Sequence, residues 1–170
     1  MTNVLVPLDG SSYGKVIADF IVNHRWTAGT QIKLLLVIES LAADANFEDS
    51  SEQDVLATAQ KLLSEIEHKL VASLPATTVT QAIKFGVPQE KILNEASNWP
   101  ADLIVLGSHR HHDPNQSRIG SVALSVLGES KSTVIIVRVP PEKIKDMSMQ
   151  SENEILRARY KYCNTLRHNI

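Results

Sequence analysis

A chain of 170 residues, 43% hydrophobic and 21% charged, can bury a full core within one domain. Its net charge near −2 lacks the basic excess of a nucleic-acid or anionic-membrane binder, and no apolar run approaches the ~20 residues of a membrane span. One cysteine, Cys163, excludes an intramolecular disulfide, and a strand starting within about three residues of Met1 leaves no room for a secretory leader. The expected location is the cytoplasm.

Asn3 to Leu8 is a short apolar strand, stopped by the turn and cap residues Asp9-Gly10-Ser11-Ser12. Tyr13, Val16, Ile17, Phe20 and Ile21 recur at helical spacing and predict a helix to about Arg25. Ile32 to Ile38 is a second buried strand, followed by a polar loop over residues 39–49. Ser50 with Gln53 offers a capping box for a helix whose inner face is Val55, Ala59, Leu62, Leu63, Ile66 and Leu70, ended by Pro75. Thr78 to Ile83 is a more polar strand, suited to a sheet edge. After Phe85-Gly86-Val87, Pro88 fits the first position of a short helix with Ile92, Leu93 and Ala96 inward.

The run Leu103-Ile104-Val105-Leu106 has no alternation, as expected of a strand covered on both faces. Gly107-Ser108 ends it. A loop rich in His, Asn and Ser leads to Gly120-Ser121, where Val122, Ala123, Val126 and Leu127 begin a helix running to Glu129. Ser132 to Val139 is a fifth strand, stopped by Pro140-Pro141.

Five alternating strands and helices predict an α/β fold, a three-layer sandwich around a mainly parallel five-stranded sheet, over residues 1–140. Residues 141–170 read as an appended helical extension. There Ile155 or Leu156, Tyr160, Cys163 and Leu166 are at helical spacing behind a Ser151–Glu154 capping box, and the stripe packs either on the sheet layer or on a partner. In such sheets ligands lie beyond the carboxyl ends of the strands, where strand order reverses. The first and fourth strands should flank that point, with Asp9 and Gly107 facing one crevice. The amides and positive dipole end at Gly120-Ser121 suit an anion there.

Four stretches, in order, resemble the universal stress protein family: Val4-Leu5-Val6-Pro7-Leu8-Asp9-Gly10-Ser11, Phe85-Gly86-Val87-Pro88, Asp102 to Ser108, and Gly120-Ser121-Val122-Ala123. The resemblance covers residues 3–139. It implies a Rossmann-like fold of the adenine nucleotide alpha hydrolase-like kind, and a site for ATP or another adenine nucleotide, with or without magnesium. Pro7, Leu8, Asp9 and Val37 would hold the nucleoside, with Asp9 hydrogen-bonded to it. The strand end Leu106-Gly107 would approach the ribose. Phosphates would meet amides at position 110 and from Ser121 to Ala123, the helix start that follows Gly120, with the Ser121 hydroxyl as a further donor. The family's glycine spacing survives at Gly107, position 110, Gly120 and Ser121, but position 110 is Arg110. A guanidinium beside phosphate contributes ~1.5–3 kcal/mol, against a cost of ~1–2 kcal/mol if the loop forces a left-handed residue.

Other readings stand beside these. Asp9 could be an N-cap. His109, His111, His112 and Asp113 are solvated loop residues, or a source of positive charge for phosphates, more readily than a metal site. Ser108, Ser121 and Asp9 include parts of a nucleophile set, but no Gly-x-Ser-x-Gly surrounds Ser108. Trp26 and Trp99 suit packing at a layer edge, and Cys163 a place on its helix stripe. The functional expectation is a nucleotide-binding stress-response module that signals to a protein partner and hydrolyses ATP slowly at most. The alternative is a nucleotide-free dimeric interaction module, and a hydrolase or adenylyl transferase ranks last. The β-branched strand Val134 to Val139 is an edge that tends to find a second strand. The family resemblance likewise implies a homodimer through it.

Overall fold

The computed structural model describes residues 1–11, 13–39, 49–108 and 119–138. The elements in order are β1 (Asn3–Leu8), α1 (Tyr13–Val22), β2 (Gln31–Ile38), α2 (Asp49–Ser73), β3 (Thr78–Phe85), α3 (Pro88–Asn98), β4 (Leu103–Gly107), α4 (Ser121–Glu129) and β5 (Thr133–Val137). The chain forms an α/β, Rossmann-like fold: one parallel sheet ordered β3-β2-β1-β4-β5 with helices on both faces. Strand order reverses between β1 and β4, as the alternating pattern requires.

Side-chain alternation along the strands builds two cores. Val4, Val6, Leu8, Ile32, Leu34, Leu36 and Val105 face α1 and α2, meeting Ile17, Ile21, Ala59, Leu63 and Leu70. Leu5, Leu35, Val37, Ile104 and Leu106 face α3 and α4, meeting Ile92, Ala96, Ala123 and Val126. Strands buried on both faces explain the unbroken apolar runs in β1, β2 and β4. The polar β3 is indeed an edge, and so is β5.

Four expectations need adjustment. First, α1 stops at Val22, short of Arg25, because the Ile21 carbonyl is taken by the His24 amide at 3.2 Å and by Trp26 Nε1 at 2.8 Å. Second, β3 continues to Phe85, in register with Ile38, before Gly86 (φ +129°) turns the chain beneath the Lys91 stem. Third, Leu127 does not join the inner stripe of α4. It is 46% exposed, beside Leu124 at 58%. Fourth, α2 already begins at Asp49, so Ser50 and Gln53 lie inside it and do not form a capping box ahead of it. On the α3 side, Trp99 packs against the core while Lys33 lies 4.4 Å above its ring and pairs with Glu95 at 2.9 Å. The fifth strand is shorter than expected, Thr133–Val137, while the expected 151–166 helix, Cys163, Val139, His111, His112 and Asp113 lie outside the described residues.

The seam between β1 and β4 positions everything that follows. At its amino end it is stitched by Asp102 N to the Asn3 carbonyl (2.9 Å), Asn3 N to Asp102 Oδ2 (2.8 Å) and Asn3 Nδ2 to the Pro100 carbonyl (3.0 Å). Since Asn3 presents its carbonyl to β4, alternation points the backbone groups of Leu5 and residue 7 the same way. Residue 7 is proline and has no N–H to give. Pairing with β4 accordingly runs only through Val4–Leu103 and Leu5–Ile104, whereas pairing with β2 continues to Leu8–Leu36. The ladder therefore ends early at the carboxyl side of the reversal point.

Candidate functional site

Beyond Leu8, Asp9 is exposed and Gly10 takes φ +77°, a left-handed turn that favours glycine. Asp9 Oδ1 accepts the Ser11 amide at 3.0 Å and the Ser11 hydroxyl at 2.6 Å. Ser11 Oγ in turn accepts the Tyr13 amide at 3.3 Å, so the serine caps α1 and the aspartate holds the serine. Capping is thus relayed through Ser11, and the carboxylate of Asp9 stays at the surface of the crevice. Burial, and then the nearby charge of Asp9, push the Tyr13 phenol up.

Across the seam, Leu106 is buried on the α3/α4 face and Gly107 ends β4. A Cβ at Gly107 would lie 3.4 Å from Ile17 Cδ1, so a small residue lets α1 close on the strand end. Buried Ser108 donates its amide to the Val137 carbonyl at 3.1 Å, and its own carbonyl accepts the Gly120 amide at 3.0 Å. Gly120 is the N-cap of α4 (φ −62°, ψ 155°) and offers no side chain to its first turn. The Leu124 amide returns to the Gly120 carbonyl at 2.9 Å, leaving the amides of Ser121, Val122 and Ala123 without an acceptor among the described residues. These three donors and the positive end of the helix dipole adjoin the strand ends.

Not every expected residue turns its side chain toward this place. Pro7 is buried and lies, by alternation with Leu5, on the α3/α4 face, as do Val37 and Leu106. Val37 is one step past the Leu8–Leu36 pair, opposite Asp9. Leu8 faces the other way: its Cδ2 is 3.6 Å from where a Gly14 Cβ would stand, in the α1/α2 core. Only its main chain reaches the carboxyl edge. Ser121 is exposed, Val122 half-buried and Ala123 buried. His109 and Arg110 lie outside the described residues. Three contributors went unassigned by sequence reasoning: Ser11 as the support of Asp9, Tyr13, and Ser108 as the link to α4. The Asp-Gly-Ser triplet, an Asx-turn signature, was the available signal for the first.

The two sides of the β1/β4 seam differ in what they offer a ligand. A surface carboxylate accepts hydrogen bonds from hydroxyl or amino groups and repels anions. The open helix start does the reverse.

This geometry has relatives. A sequence model of the universal stress protein family matches residues 1–138. The chain is 35% identical over 99 residues to Universal stress protein A homolog 2 of Coxiella burnetii, a match spanning 58% of this chain and 62% of that protein. Among solved structures, the hypothetical protein MJ0577 superposes with a TM-score of 0.73 at 23% identity, covering 82% of this chain and 96% of the other. An Arabidopsis thaliana universal stress protein family protein with AMP bound superposes at 0.63 with 19% identity, covering 84% and 95%. Two more universal stress proteins of this fold are in complex with cAMP and with dAMP. A family match over the whole sheet and its four helices decides the matter: the chain belongs to the universal stress protein family.

Proposed function

We propose that this protein is an adenine-nucleotide-binding stress-response module, with the nucleotide lying across the β1/β4 seam. The observation that carries the reading is a surface carboxylate at Asp9 on one side of a ladder ended by Pro7 and, on the other, three amides at Ser121, Val122 and Ala123 that have no acceptor among the described residues. Charge sets the orientation. Phosphate goes to the helix start, away from Asp9, and the nucleoside's donor groups go to Asp9. Pro7, Val37 and Leu106 supply apolar wall on the α3/α4 face, Gly107 brings main chain close, and His109 and Arg110 follow it in sequence with cationic capacity. The AMP, cAMP and dAMP held by structural relatives support the same ligand class.

In this reading the protein binds and reports, and its output passes to a partner. The edge strand β5, Thr133–Val137, supports a homodimer in which two such strands pair. Isothermal titration with ATP, ADP, AMP and adenosine tests the binding. Saturable heat is expected for the nucleotides, with adenosine weaker, and no heat at millimolar nucleotide would leave the nucleotide-free dimeric interaction module.

A further inference from the structure

We propose that the outer face of α4 is the seat for this chain's own C-terminal segment, residues 151–166, docked within the same molecule. Two leucines three residues apart, Leu124 and Leu127, stand on that face at 58% and 46% exposure. Beside them, Gly128 adds no side chain, and a Cβ there would meet nothing within 4 Å. The result is a low, apolar strip on a helix that carries one anion, Glu129, and no cation. The outer face of α3 is by contrast polar, carrying Glu90, Asn94, Ser97 and Asn98.

The occupant is argued from the rest of the chain. β5 lies against α4 in the sheet layer below it, and the described fold ends at Arg138, immediately after β5. Residues 139–170 follow, and within them Ile155, Leu156, Tyr160, Cys163 and Leu166 recur at the spacing of one helical stripe. Residues 157–167 hold four basic side chains and no acidic one, so they bring cations to a helix whose only charge is Glu129. The 139–150 spacer, fully extended, spans ~40 Å, whereas α4 is only ~14 Å long. The stripe therefore reaches the strip from its own β5. A tether of that length keeps it at an effective concentration on the order of millimolar, above any second copy in dilute solution.

Cys163 makes the test direct, because it is the chain's single cysteine. Leu124→Cys and Leu127→Cys are each placed in the full-length chain and oxidised, or treated with a short bismaleimide, at low micromolar protein. Val71→Cys, on the exposed face of α2 at 52%, serves as the reference. The expected result is an intrachain link to Cys163 at least tenfold faster from α4 than from position 71, at a rate independent of protein concentration. An interchain link, whether its rate grows with concentration or is fixed within a β5-paired dimer, would put a second copy on the strip and overturn the proposal. Links no faster than the reference would overturn it too. Hydrogen exchange supplies a second reading on the full-length chain. Leu156→Asp with Leu166→Asp should speed exchange at the α4 amides several-fold while the β2 amides stay unchanged, and unaltered α4 exchange would again sink the idea.

Discussion

The amide of Gly120 donates to the carbonyl of Ser108 at 3.0 Å, so the end of β4 and the start of α4 are tied to each other directly. That bond uses the one amide of the N-cap and places the following three, at Ser121, Val122 and Ala123, next to the end of β4. Because Ser108 also donates to Val137, the same residue fixes α4 to β4 and to β5.

Ser121→Pro isolates the amide contribution. Position 121 is the first residue of α4, and Gly120 already has the extended backbone that precedes proline comfortably. Urea unfolding should show stability changed by no more than about 0.5 kcal/mol. Affinity for AMP should fall several-fold while that for adenosine is unaltered. Ser121→Ala, which keeps the amide and loses the hydroxyl, should lose less.

Asp9→Asn separates charge from turn geometry. Asparagine forms the same Asx turn with Ser11, so the cap of α1 is preserved. A neutral acceptor gives roughly a tenth of the affinity of a charged one, a loss of about tenfold in nucleotide binding by calorimetry. Ser11→Ala should behave in the opposite sense. It removes the oxygen that accepts the Tyr13 amide and lowers stability by about 1 kcal/mol, with a smaller change in affinity.

How much of this was legible beforehand differs between the fold and the site. Continuous runs such as Leu103 to Leu106 suit strands covered on both faces, and five strands, the third of them more polar, alternating with amphipathic stretches point to one architecture. The reversal between β1 and β4 followed from that order. Leu8 was harder. Alternation alone sends it to the face opposite Pro7, but a motif treats neighbours Pro7, Leu8 and Asp9 as one unit. Leu127 was misplaced because helical spacing identifies a stripe without saying how wide a strip the sheet covers. The end of α1 depends on the indole of Trp26 reaching back five residues, a contact no local pattern announces.

Tyr13 provides a titration. Its phenol is held above the usual 10.0, first by burial and then by the charge of Asp9. The folded protein therefore keeps the phenolic proton more tightly than the unfolded chain. Its stabilising contribution is complete below pH 10.0 and is lost as pH rises through the raised value. Phenolate absorbance should show one tyrosine titrating late, absent in Tyr13→Phe. Asp9→Asn should bring that titration only part of the way down, since burial is the larger cause.

The Lys33–Glu95 pair, also shared by Lys84 at 3.8 Å, anchors α3 to the sheet. Glu95→Ala leaves the Lys33 ammonium over Trp99 without its carboxylate. The expected loss is about 1–2 kcal/mol in urea unfolding, below the ~3–5 kcal/mol of a fully buried pair because both side chains keep some water contact. Lys33→Met, which fills the same space without a charge, should cost less than Glu95→Ala.

Pro7 carries a consequence for the range of ligands this scaffold can admit. With β1 and β4 paired only through Val4–Leu103 and Leu5–Ile104, a bulkier base or an extra phosphoryl group of the proposed ligand at the carboxyl end would meet no ladder bond between these two strands. On the proposed reading, room for ligands of different size there rests on a single imino acid, and adapting that end leaves the sheet's remaining backbone pairs intact.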